Sequence, residues 1–151
     1  FARLGAWLDA HEDALFDALG PDLMAFGEWC AARHSLDYGA LPDWWLLFDI
    51  YDRQAGAFWS TARRDAWARQ HGFAVVPRLL QGRGSIAQLR QLVQESRSAL
   101  RDGPLEGVVI RREDERWLLD RAKLVRPDFI QTIDTHWRSR MLEWNRLGVG
   151  H

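Results

Sequence analysis

Charged side chains inside otherwise apolar, strand-like runs are the first sign of chemistry in this sequence. Read with a period of two, Glu28 shares a face with Met24, Phe26 and Cys30. Glu106 shares one with Val108 and Ile110, with Gly107 beside it, and Arg121 and Lys123 share one with Trp117, Leu119 and Val125. Between 45 and 52, Leu46, Phe48, Ile50 and Asp52 fall on one face and Trp45, Leu47, Asp49 and Tyr51 on the other. A charge in such a run is unfavourable unless it is paired, ligated or used. Each residue alone has a structural reading: Glu28 and Glu106 as partners of rim arginines, Lys123 as an edge-strand gatekeeper, Phe48 as a core aromatic. Together they make the set that a polyanion with a planar group requires. The aromatic stacks on a base, the cations meet phosphates, and a carboxylate holds Mg²⁺ or a ribose hydroxyl.

These residues need a frame of strands and helices. Residues 3–19 place Leu4, Trp7, Leu8, His11, Leu15 and Leu19 at helical spacing, and Gly20-Pro21 ends the run. Strands are expected at 23–30 and 44–51, separated by a polar excursion at 33–43. Gln54-Ala55-Gly56 turns the chain into 57–59. Ser60 then caps a helix to about His71, which Gly72 closes. A short strand at 73–76, a loop at 82–84, and a helix from Ser85 to about Ser96 follow. Residues 105–112 and 117–125 read as a hairpin around Glu113-Asp114-Glu115, and Pro127 opens a last helix to about Trp144. Hairpin-linked strands interleaved with helices imply α+β with a largely antiparallel sheet.

Composition bounds the rest. At 151 residues the chain suits a single domain, 1–151, with 47% apolar and 27% charged residues. No apolar run reaches the roughly 20 residues that span a bilayer. A net charge of −1 excludes a histone-like polycation and leaves room for a local basic face. The one cysteine, Cys30, has no partner for an internal disulfide, and no His/Cys spacing supports zinc, so a reducing cytoplasm is the simplest setting. Of 20 basic residues only Lys123 is lysine, and the first residue is Phe1, the mark of a piece of a longer protein.

Four stretches occur in a telling order: Phe26-Gly27-Glu28-Trp29, Leu46-Leu47-Phe48-Asp49-Ile50-Tyr51, Glu106-Gly107-Val108-Val109-Ile110-Arg111 and Arg121-Ala122-Lys123-Leu124-Val125-Arg126. They resemble nucleotidyltransferase motifs III, IIIa, IV and V of the ATP-dependent ligases and mRNA capping enzymes. The surroundings of Glu28 (through Ser35) and of Lys123 (through Phe129) are most similar to the bacterial RNA ligases related to phage RNA ligase 2. The resemblance implies the distal part of an ATP-grasp-like adenylylation domain. Its enzymes pass AMP from ATP to a lysine, then to an RNA 5′-phosphate, and seal broken or nicked RNA with loss of AMP, using Mg²⁺ or Mn²⁺. It also implies the roles. Phe48 stacks on adenine and Glu28 contacts the ribose or orients the nucleophile. Glu106 binds or positions the metal, Lys123 contacts the α-phosphate, and Asp49 supports from behind.

Two departures matter. Motif V in the family carries Lys-x-Lys; here the pair is Arg121-x-Lys123 or Lys123-x-Val125, with Arg126 a third candidate. Motif I, Lys-x-Asp-Gly, supplies the AMP-accepting lysine, and no lysine precedes Lys123. A guanidinium cannot replace that amine, so these 151 residues alone are expected not to self-adenylylate. No stretch after Phe129 resembles an OB-fold. The alternatives are a DNA ligase or capping-type enzyme, a non-catalytic nucleotide- or RNA-binding relic, and a glycosidase with Glu28 and Glu106 as its acid/base pair. His34, and the last helix with His136, Trp137, Arg138, Arg140, Trp144 and Arg146, are further RNA-contact candidates.

Overall fold

The computed structural model describes residues 2–33, 37–126 and 143–148. In chain order the elements are α1 (Ala2–Leu19), β1 (Leu23–Trp29), β2 (Trp45–Asp52), β3 (Ala57–Phe58), α2 (Thr61–His71), α3 (Ile86–Glu95), β4 (Gly107–Glu113) and β5 (Leu118–Val125). β1, β2 and β3 form an antiparallel sheet in that order, and β4 pairs with β5. The architecture is therefore α+β with small antiparallel sheets. The chain divides into two compact units: Phe1–Ala31, Asp43–Val76 and Arg111–Asp120 in the first, Ala32–Pro42, Pro77–Ile110 and Arg121–His151 in the second.

The core of the first unit forms where β2 meets apolar faces of α1 and α2. Leu47 and Ile50 of β2 pack with Trp7 of α1, Trp59, Trp67 and Ala68 of α2, and Phe73. Trp7 Nε1 donates to Asp43 Oδ1 at 2.9 Å, and its ring stacks on His11 at 4.1 Å, so His11 serves packing. The limits of α2 follow from its caps. Ser60 Oγ accepts from Arg63 N, and Gly72 takes the left-handed φ of 76° that ends the helix. The strand expected at 73–76 is only a parallel bridge between Leu47 and Val75, flanked by Leu47 N to Ala74 O at 2.9 Å and Val76 N to Leu47 O at 3.0 Å. Phe73 is committed to the core, and Pro77 has no N–H to extend the ladder.

The β1–β2 register slips by one between Phe26 and Gly27. Gly27 lies opposite Leu47 and Phe26 opposite Asp49, so Phe48 is an extra residue on β2. This bulge corrects the period-two assignment of faces. Leu47 and Ile50, expected on opposite faces, both enter the core. Leu46, opposite Glu28, and Asp49, opposite Phe26, share the other side.

In the second unit α3 begins with a capping box: Gln88 N donates to Ser85 Oγ at 3.2 Å and Ser85 N donates to Gln88 Oε1 at 2.7 Å. Residues 143–148 run beside 32–41. Arg33 N bonds Glu143 O at 2.9 Å, Arg146 N bonds Tyr38 O at 2.8 Å and Gly148 N bonds Leu41 O at 2.7 Å. Asn145, only 3% exposed, fastens both sides, donating to Ala32 O and accepting from Tyr38 N. Trp144, expected at the end of a helix, instead forms a bridge with Ala32. The rest of that expectation, with His136, Trp137, Arg138 and Arg140, lies outside the described residues, as does His34.

Gly107 is required by space. A Cβ there would lie 2.5 Å from the Leu124 carbonyl oxygen and 3.0 Å from Val125 Cα, both fixed backbone atoms of β5. Gly107→Ala is expected to lower stability by about 1–3 kcal/mol. The check is the urea midpoint, and an unchanged midpoint would mean that β5 yields freely.

Candidate functional site

The bulge decides how β2 presents its functional residues. A residue without a ladder partner leaves its backbone groups to be satisfied elsewhere. The Phe48 carbonyl accepts from Arg64 Nη1 at 2.6 Å, and Arg64, on α2 and 3% exposed, is held by Asp65 Oδ1 at 2.7 and 2.9 Å. Phe48 itself is half-buried. Nearby rings pair with each other, Phe26 with Phe58 and Tyr51 with Phe58, while Phe48 enters no ring–ring contact among the described residues. Glu28, opposite Leu46 on β1, is exposed.

Asp49 is 2% exposed and paired. Arg111 Nη1 donates to Asp49 Oδ1 at 2.5 Å, Arg111 Nε to Glu113 Oε1 at 2.5 Å, and Arg111 Nη2 to Trp59 O at 3.0 Å. Glu113 in turn accepts from Thr61 N at 2.9 Å and Thr61 Oγ1 at 2.7 Å, which puts its charge at the positive end of α2. One guanidinium thus ties the bulge of β2, the start of α2 and β4 together. Burial pushes the Glu113 carboxyl up, but the bonds from Arg111 and Thr61 outweigh it and the net shift is downward. Stability from Glu113 is then complete above the ordinary glutamate value of about 4.3. It is lost as pH falls through the lower folded value, because the unfolded chain binds the proton first. Glu113→Gln is expected to flatten the acid limb of a urea-midpoint-versus-pH curve between about pH 5 and 3. A residual slope remains from Asp52 and Asp114, which turn N–H groups hold down. An acid limb as steep as the parent's would refute this role.

Cys30 is buried, and that burial, with the Glu28 carboxylate nearby, pushes its thiol up to about 11. It is a packing group, not a nucleophile.

The second unit carries the remaining candidates. Glu106 immediately precedes β4, and its carbonyl accepts from Arg126 N at 2.9 Å, so it lies beside the end of β5 just beyond Lys123. Tyr38 Oη donates to Glu106 Oε1 at 2.6 Å. Arg121 and Lys123 are exposed on β5. Glu28, Phe48 and Asp49 thus lie in the first unit, and Glu106, Arg121 and Lys123 in the second.

Residues 1–125, which contain all six candidates, match the family model for RNA ligase. The chain belongs to the RNA ligase family. Searches of curated proteins and of solved structures give no match. Membership in the RNA ligase family favours ligase-type chemistry over a glycosidase. It also gives meaning to residues that the sequence reading passed over. Arg111 closes the Glu106–Arg111 stretch, and a cation on an apolar strand was its one signal. Arg64 and Glu113 gave none, because the contacts that tie them to other elements, to the Phe48 carbonyl and to Thr61, lie 16 and 52 residues away in sequence. Tyr38 sat in the polar excursion. No helix among the described residues is long and apolar enough to cross a membrane.

Proposed function

We propose that this chain is the distal part of the adenylylation domain of an ATP-dependent RNA ligase. The observation that carries the reading is the family match across 1–125, which spans the first three motif-like stretches and all of the fourth but Arg126. Phe48, displayed on a bulge that Arg64 and Arg111 brace, stacks on adenine. Glu28 accepts from the ribose. Lys123, with Arg121, meets the α-phosphate and offsets the charge that grows there as one P–O bond forms and another breaks. Asp49 takes no ligand; it acts through Arg111.

No group of three or more His, Cys, Asp or Glu side chains that could cage a metal occurs among the described residues. One carboxylate, Glu106, with one oxygen held by Tyr38, fits Mg²⁺ or Mn²⁺, because such an ion takes most of its other ligands from water and phosphate. The bound ion would supply charge neutralisation at the reacting phosphate. Tyr38 fixes the orientation of Glu106.

The final step needs no covalent enzyme intermediate: an RNA 3′-hydroxyl attacks the adenylylated 5′-phosphate, its proton leaves, and AMP departs. The test therefore uses nicked RNA already carrying a 5′-adenylylate. With Mg²⁺ the chain is expected to seal it and release AMP, while ATP labelled at the α-phosphate leaves no label on the chain, whose one lysine is Lys123. A stable AMP adduct on the chain would contradict the second half. Binding without sealing would favour a non-catalytic relic, and neither binding nor sealing would end the ligase reading.

A further inference from the structure

We propose that residues 77–94 and 121–126 of the second unit form a docking surface for the phosphodiester backbone of RNA, an inference that rests on the RNA ligase reading. The whole chain has a net charge of −1, yet 77–94 holds Arg78, Arg83 and Arg90 with no acid, and 121–126 holds Arg121, Lys123 and Arg126 with no acid. The two stretches meet. A cavity of about 360 Å³ is lined by Arg90, Val93 and Gln94 of α3 and by Leu124 and Val125 of β5. Every residue from 77 to 88 is exposed, including Leu80 at 58% and Ile86 at 65%. Apolar side chains left in water beside concentrated charge mark an interaction surface.

The chemistry favours RNA. Five of the six cations are arginines, whose planar forks match phosphate oxygens in pairs. Arg83 and Arg90 have no ion pair among the described residues, so no internal carboxylate competes with an incoming phosphate. The start of α3 is not the binding element, since Ser85 and Gln88 already engage its first donors.

The test compares R78Q/R83Q/R90Q with the parent chain, using a nicked RNA duplex as probe across a series of salt concentrations. The variant is expected to bind at least 10-fold more weakly near 100 mM salt. Its slope of log K against log salt should fall by about 2–3, because each lost phosphate contact removes about 0.9. R78K/R83K/R90K keeps the slope, and ATP affinity stays unchanged in both. Should the triple variant fail to fold, each single Arg→Gln variant carries the same test, with a slope loss of about 0.9. RNA binding by R78Q/R83Q/R90Q with the parent's affinity and slope overturns the surface alone. Loss of binding to anionic lipid vesicles, with RNA binding intact, also overturns it. No RNA binding by the parent chain overturns the ligase reading as well.

Discussion

Arg111→Met is expected to lower stability by about 3–5 kcal/mol, because it strands a buried carboxylate. Asp49 is 2% exposed and receives Nη1 of Arg111 at 2.5 Å, while Glu113 receives Nε. Removing the guanidinium leaves two carboxylates near each other with fewer donors and little water. The double variant Asp49→Leu/Arg111→Met restores much of the loss, since a buried pair replaced by apolar groups of similar volume is often neutral. The urea midpoint of the single variant should fall by about 2 M. A single variant as stable as the parent, or a double variant no better than the single one, would show that the pair does not hold the bulge. In the ligase reading the single variant also loosens Phe48, so ATP affinity should fall in parallel.

Glu106→Gln and Lys123→Ala are each expected to slow sealing of pre-adenylylated RNA by about 10²–10³-fold. Gln keeps an oxygen for the Tyr38 hydroxyl, so the first change removes charge with little disturbance of shape. It should also raise the Mg²⁺ concentration needed for half-maximal rate. Tyr38→Phe removes only the donor at 2.6 Å and is expected to cost about 10–100-fold, the range for groups that orient a metal-binding side chain. Sealing at the parental rate by Glu106→Gln would remove Glu106 from the chemistry. A Tyr38→Phe variant with unaltered Mg²⁺ dependence would reduce that hydrogen bond to packing.

The sequence displayed what is local. Ser60 and Gly72 bracket α2, and Ser85 opens α3, because caps act within a few residues. Gln54-Ala55-Gly56 and Glu113-Asp114-Glu115 mark turns for the same reason. Alternation failed at Phe48. A period of two presumes an unbroken ladder, and only the partner strand decides where a residue is extra. The partners of Arg111 and Glu106 were equally hidden, since a guanidinium or carboxylate in an apolar run announces that it needs a partner and does not say which. The RNA ligase family was legible from Glu28, Phe48, Glu106 and Lys123 in order, a pattern of types and spacings that needs no knowledge of contacts.

The clasp made by Asn145 has a cost during synthesis. Tyr38 and Asn145 are 107 residues apart, so the stretch around Leu41, which ends fully buried, leaves the ribosome long before the segment it pairs with exists. At 5–20 residues per second the delay is about 5–20 s. Throughout that interval a nascent second unit presents an unpaired edge and an apolar side chain to water, the kind of segment that holdase chaperones bind.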